Sequence, residues 1–278
     1  MKVLLFDTET TGLDPRKSYV ISIGAIMYDT ETEKVDEFYR VLNWYEIQEH
    51  LNINFEIPDF ITKINGFNKE KLISEGINPV KAFADFYDFI VENVDSQNIK
   101  KYLNVCSAWN LPFDVNMVKS NLLFLQEYNR DFKTNPVDGY KILELIDAFN
   151  KSYKINSDNN ILFIDNKLID NIYHDEKDPK TNKKISHSLQ KVGERYNIEE
   201  DPNAHNALAD TRRLFDIWKI HKKELDDKNI NIDSEFEDSL IIEYRKQQAI
   251  YNNKGKKNGY YSDSSLDYFS YNMTKLEV

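Results

Sequence analysis

The chain has one cysteine, Cys106, among its 278 residues. A lone thiol cannot close an internal bridge, so no disulfide framework exists and a reducing, intracellular compartment is expected. Cys106 sits in an apolar run that reads as a buried strand, where a thiol serves as packing. No window approaches the roughly 18 apolar residues that a membrane-spanning helix needs, and the first apolar run is too short for the core of a signal peptide. A cytoplasmic protein with no membrane partner is the expectation. Basic charge is short too: 36 Lys and Arg against 47 Asp and Glu leave a formal net charge of -11. That argues against a nonspecific nucleic-acid coat, which needs a broad basic surface to displace counterions. It leaves room for a site that holds a few nucleotides through bound cations. Glycine is scarce, with 8 residues beside heavy Asn, Lys and Ile usage, which suggests an AT-rich coding genome such as that of a phage or a low-GC bacterium; in the phage case the compartment would be the host cytoplasm.

What is present is ample for a core: 41% hydrophobic and 13% aromatic residues, enough for one large domain or two small ones. Residues 2–6, 19–28 and 34–42 read as strands linked by short turns, which predicts an antiparallel meander. Residues 79–94 have helical spacing with Pro near the start, 102–108 read as a strand, and 112–128 as the helix that follows it. Helices are also expected over 188–196 and 207–223, the latter burying Leu208, Leu214, Phe215 and Trp218. The segment 141–149 is a short helix or a strand-helix junction. Residues 150–184, rich in Asn, Asp and Lys, are expected to be an insertion with a hairpin over about 161–185. From Asp226 the chain turns more polar, with one helix near 235–251 and a tyrosine-rich tail. The division is thus a domain over 1–225 and an accessory element over 226–278. Strands in a run, then strand and helix in alternation, predict an α/β protein with a mixed sheet flanked by helices.

The first chemical feature lies in Phe6-Asp-Thr-Glu-Thr-Thr-Gly-Leu13. Alternation along a strand points Asp7 and Glu9 the same way. Two like charges held that close repel unless a cation or a proton lies between them. Solvated acids at a strand tip are the plain alternative. Gly12 permits a tight turn after them, and Leu13 projects an apolar side chain beside them. A second acid, Asp114 in Ser107-Ala-Trp-Asn-Leu-Pro-Phe-Asp114, follows a buried strand and opens a helix, where α/β sheets place ligands; taken alone, it reads better as a first-turn acid favoured by the helix dipole. The third segment is His205-Asn-Ala-Leu-Ala-Asp210, with Asp210 one turn into a helix and His205 in its lead-in.

Together, Asp-x-Glu, Asp and His-x4-Asp in this order resemble the DEDDh family of 3′-to-5′ exonucleases, which includes the epsilon proofreading subunit of bacterial DNA polymerase III, ribonuclease T and oligoribonuclease. The likeness covers about residues 1–222 apart from the insertion. Ile64-Asn-Gly-Phe67 resembles a family turn that usually reads Ile-His-Gly-Ile, and Ser186-His-Ser-Leu189 the lead into the helix before the third motif. The spacing from His205 to Asp210 speaks against the branch that uses tyrosine. Trp109 and Asn65 stand where histidines are common; neither position is a metal ligand in the family, so altered substrate contacts with unchanged chemistry are expected.

The resemblance implies a ribonuclease-H-like fold, a mixed five-stranded sheet with helices on both faces. It implies that Asp7, Glu9, Asp114 and Asp210 hold two Mg²⁺ or Mn²⁺ ions with Asp7 bridging, and that His205 is the general base. Thr10, Thr11 and Leu13 would meet the 3′ terminus, and Phe113 would stack on a base or pack in the core. The implied substrate is single-stranded or frayed DNA, with RNA or short oligonucleotides as the alternative and a catalytically weak binding module as a third reading. The implied partners are a nucleic acid with a free 3′ end and, as in some relatives, a second copy in a homodimer. Ser265-Leu-Asp-Tyr-Phe269 resembles the short peptide by which replication proteins bind the bacterial sliding clamp, which points to a clamp or a polymerase.

Overall fold

Val3, Leu4, Leu5 and Phe6 are each 0% exposed. A strand covered on both faces reads as a continuous apolar run rather than an alternating one, and these residues form the buried half of the central strand β1 (Lys2–Thr10). The computed structural model describes residues 1–94, 99, 103, 105–132, 135–150, 162–174, 177, 182–199, 201 and 206–228. Within them β1 pairs antiparallel with β2 (Val20–Asp29), which pairs antiparallel with β3 (Val35–Val41). This is the expected meander. On the other side β1 runs parallel to β4 (Val105–Ala108), and β4 parallel to β5 (Leu162–Asp165), giving a five-stranded mixed sheet in the order β3-β2-β1-β4-β5.

Helices cover both faces, as side-chain parity shows. Phe6 meets Phe86 of α3 (Pro79–Val94) at 6.4 Å between ring centroids and Phe149 of α5 (Pro136–Asn150) at 5.9 Å. Tyr28, on the opposite face of the sheet, meets Phe215 and Trp218 of α8 (Ala207–Asp227) at 5.1 and 5.8 Å. Alternation then places Asp7 and Glu9 on the α8 side of β1. Before α3 come two seven-residue helices, α1 (Asp59–Asn65) and α2 (Lys69–Glu75). Gly66 ends α1 at φ +72°, a left-handed conformation that glycine adopts freely. The 22-residue α4 (Leu111–Phe132) follows β4.

The segment taken as an insertion instead completes the sheet. Its apolar run from Leu162 to Ile164 becomes β5; Ser107 Oγ of β4 donates to the Ile164 carbonyl at 2.6 Å, and Asn166 Nδ2 donates to Ser107 Oγ at 2.6 Å. Of the expected hairpin, an isolated bridge between Lys177 and Lys184 is present. After β5 come α6 (Asn166–Tyr173) and α7 (Leu189–Arg195). Asp170 of α6, fully buried, accepts from Arg195 and lies 2.6 Å from His187 Nδ1, joining these helices. Cys106 is buried in β4, as its apolar surroundings predict.

The chain divides into two units, Met1–Lys219 and Ile220–Val278. The first contains the sheet. The described part of the second is the last turns of α8 and Lys228. The helix expected at 235–251 and the clamp-like peptide at 265–269 lie outside the described residues. Among the described residues no helix is long and apolar enough to cross a membrane.

Candidate active site

Strand β1 leaves the core through Asp7 and Glu9, whose half-buried side chains alternate with buried Thr8 and Thr10. Asp7 is paired in register with Gly24 of β2. The missing side chain there matters: a Cβ at Gly24 would lie 2.2 Å from both the Ala207 carbonyl carbon and the Leu208 nitrogen. The first turn of α8 therefore rests directly on β2. Thr211, 0% exposed, fixes it by directing its hydroxyl at the Gly24 carbonyl (3.1 Å) as well as at the Ala207 carbonyl (2.6 Å). Asn206 starts the helix by accepting the Leu208 N–H at 3.0 Å, and its amide donates to the Tyr39 hydroxyl at 2.8 Å.

This seating brings Asp210 to the acids of β1. Oxygens of Asp7, Glu9 and Asp210 all lie within 4.8 Å of one another. Asp114 joins from the first turn of α4, 2% exposed. The β1–β4 ladder pairs residues only as far as Leu5 and Ser107, so the Thr8 N–H lies past its end. Asp114 Oδ1 takes that N–H at 3.0 Å and the Thr8 hydroxyl at 2.7 Å, which pins the carboxylate against the strand.

The electrostatics follow from crowding. Burial, then the charges of Asp114, Glu9 and Asp210, hold the Asp7 carboxyl well above the usual range. Burial pushes Glu9 up to about 7 against the opposing pull of a hydrogen bond from Asn65. Burial likewise pushes Asp114 up to about 8, although the Thr8 bonds pull the other way. Acids in this condition take up a proton or a cation. Hard carboxylate oxygens from one strand and two helices, gathered at one mouth, are the donor set that Mg²⁺ and Mn²⁺ accept.

The structure thus gathers four of the five residues read as catalytic; His205 lies outside the described residues, one position before the Asn206 cap. Leu13 is 72% exposed, past the turn that ends β1. Thr10 and Thr11 are buried in the turn: the Thr10 hydroxyl donates to the Gly12 carbonyl at 2.8 Å, and Thr11 Oγ1 accepts the Tyr19 N–H at 2.9 Å. Phe113 packs, half-buried, on the core. Asn65, which stands where a histidine is common in the family, donates from Nδ2 to Glu9 Oε2 at 3.0 Å. Trp109 is buried too, its indole N–H donating to the His187 carbonyl at 3.2 Å. Sequence reasoning missed Thr8 and Gly24 altogether. Thr8 sits between two acids, the one local signal it offered.

A family model described as the 3′–5′ exoribonuclease Rv2179c-like domain matches residues 2–221. The chain belongs to the Rv2179c-like family. That match spans β1 and nearly all of α8, and with them every acid gathered here, so the enzyme class the motifs imply, a 3′–5′ exonuclease, is the class of the family. No curated protein sequence matches the chain. Among solved structures, exonuclease I aligns with TM-score 0.54 at 16% identity over 82% of this chain and 42% of that one. E. coli exonuclease I in complex with a dT13 oligonucleotide gives 0.52 at 16% identity, over 81% and 41%. A full-length 3′-exonuclease gives 0.51 at 13% identity, over 80% and 60%. The Rv2179c-like chain therefore spans less than two thirds of each neighbour, and the likeness shows their ribonuclease-H-like fold.

Proposed function

We propose that this protein is a divalent-metal-dependent 3′–5′ exonuclease that releases nucleoside monophosphates from the free 3′ end of a single-stranded nucleic acid, RNA first. The observation that carries this reading is the convergence of Asp7, Glu9 and Asp210 within 4.8 Å, with Asp114 locked beside them by Thr8. The family description favours RNA. Single-stranded or frayed DNA is the second reading, favoured by the likeness to exonuclease I bound to a DNA oligonucleotide.

In this reading Asp7, Glu9, Asp114 and Asp210 hold two Mg²⁺ or Mn²⁺ ions. Such ions, when bound, supply an acidified water and stabilise charge on the leaving 3′ oxygen. His205 accepts the proton of the attacking water, a task suited to a group that titrates near neutrality. Exposed Leu13 abuts the terminal base, the Thr10–Thr11 turn lies against the terminal hydroxyl, and Phe113 supports a stacked base. The activity resides in residues 1–225, with 226–278 as an accessory element. Proofreading, binding of a sliding clamp or polymerase through Ser265–Phe269, and a homodimer rest on motif resemblance alone.

Digestion of 5′-labelled single-stranded RNA, single-stranded DNA and mismatched duplex with Mg²⁺, then with EDTA, tests the proposal. Stepwise shortening from the 3′ end that EDTA stops and Asp210→Asn abolishes is expected. Fragments independent of a free 3′ end, or activity undiminished in Asp210→Asn, would overturn it. The faster of the RNA and DNA reactions decides between the two readings.

A further inference from the structure

Two of the gathered acids have one oxygen already engaged. Glu9 Oε2 accepts Asn65 Nδ2 at 3.0 Å, and Asp114 Oδ1 accepts both the N–H and the hydroxyl of Thr8, at 3.0 and 2.7 Å. The donors are themselves fixed. Asn65 Oδ1 accepts the Phe67 N–H at 3.1 Å across the left-handed Gly66, so the amide can turn only its nitrogen toward Glu9. Thr8 lies within β1 and is 6% exposed. Asp114 Oδ1 is saturated by these two bonds, while Glu9 Oε2 keeps one of its two lone pairs.

That restriction bears on which ion fits. Mg²⁺ demands near-octahedral coordination and takes a carboxylate through one oxygen, keeping waters in other positions. Ca²⁺ takes about 6–8 oxygens and readily uses carboxylates through both. Binding through both oxygens would require Asp114 to give up a hydrogen bond strengthened by its charge, and Glu9 to share Oε2 between the ion and Asn65. We propose that Asn65 and Thr8 are positioning residues that set cation selectivity, presenting Glu9 and Asp114 through one oxygen each and so favouring Mg²⁺ and Mn²⁺ over Ca²⁺. The inference rests on the cation-binding reading of the site given above.

Calorimetric titration of the substrate-free protein with Mg²⁺, Mn²⁺ and Ca²⁺ separates the two ideas. Asn65→Leu removes the donor, Asn65→His keeps a nitrogen donor, and Thr8→Val removes the hydroxyl while keeping the backbone N–H. Melting in EDTA confirms that each variant is folded. Loss of a partner that orients a metal ligand typically costs about 10–100-fold in affinity, so Asn65→Leu should lose at least about tenfold for Mg²⁺ while Ca²⁺ binding holds or tightens. Thr8→Val should move the Ca²⁺-to-Mg²⁺ ratio the same way by less, and Asn65→His should restore it. In kinetics, the Mg²⁺ concentration for half-maximal kcat should rise in Asn65→Leu, with the maximum approached at high Mn²⁺. An unchanged ratio in Asn65→Leu, or equal losses for all three ions, would overturn the inference and leave the site intact. Wild-type protein that binds none of the ions would overturn the site itself.

Discussion

Asp7 and Gly24 face each other across the antiparallel β1–β2 pair, and the absent side chain of Gly24 is the reason α8 can bring Asp210 to Asp7. A methyl group at Gly24 would overlap the Ala207 carbonyl carbon at 2.2 Å, where the obstacle is backbone and cannot rotate away. Gly24→Ala must therefore lift the start of α8 from the sheet. Overpacking of this kind costs about 1–3 kcal/mol, so a lower urea midpoint is expected. Mg²⁺ binding should weaken in the folded variant as Asp210 withdraws. An alanine variant with wild-type midpoint and wild-type Mg²⁺ affinity would show that α8 is not seated this way.

The acids of the site are placed against their own electrostatic interest. Asp7 is buried near Asp114, Glu9 and Asp210, all of which disfavour its charge. Asp7→Asn keeps the shape and removes one of the repelling charges. In EDTA it should melt higher than the parent, by roughly 2–8 °C if on the order of 1–2 kcal/mol of repulsion is relieved. It should also fail to bind Mg²⁺ and be inactive. A stabilised, metal-blind variant is the signature of a site whose strain serves the ligand. A variant that melts lower than the parent in EDTA would mean that Asp7 supports the fold.

How much of this was legible in the sequence depends on the range of the interaction. Asp7 and Glu9 are local, since alternation along a strand puts them on one face. Asp114 and Asp210 were legible because each lies in the first turn of a helix whose amphipathic pattern or preceding strand is plain, and the order of the motifs supplied the rest. Gly24 was not legible: its meaning is a contact with α8, and Thr211 reaches its carbonyl across a separation of 187 residues. The bond from Asn65 to Glu9, across 56 residues, was hidden likewise. Helices α1 and α2, with seven residues each, are too short to display a helical period. Strand β5 was masked by its Asn- and Asp-rich flanks, which read as loop although Leu162–Ile164 is apolar.

His205 is assigned a proton, not a metal. His205→Ala should lower kcat by about 10²–10⁴, while Mg²⁺ affinity of the substrate-free protein stays at the parent value. Stopped single-turnover digestion of labelled oligonucleotide checks the rate, and calorimetry checks the ion. If His205→Ala lost Mg²⁺ binding along with turnover, the imidazole would be a ligand and the base would have to be sought elsewhere.

The metal-free protein should lose stability as pH rises. Burial pushes Glu9 up from its ordinary value of 4.5 to about 7 and Asp114 from 3.8 to about 8. A group whose folded pKa exceeds its unfolded value binds more protons in the native state between the two, so its contribution is complete below the unfolded pKa and gone above the folded one. In EDTA the melting temperature should thus fall between about pH 4 and pH 8, then level off as far as these two groups are concerned. Divalent ions compete with the same protons, so Mg²⁺ should bind more tightly across that window as pH increases. At a hundredfold excess over Kd an ion bound only by the native state adds about 2.7 kcal/mol, roughly 5–10 °C for a chain of this size. The separation between melting curves with Mg²⁺ and with EDTA should therefore be small near pH 5 and widest near pH 8. Differential scanning fluorimetry across that range measures both limbs, and a separation that narrowed with rising pH would contradict the assignment of Glu9 and Asp114 as acids waiting for a cation.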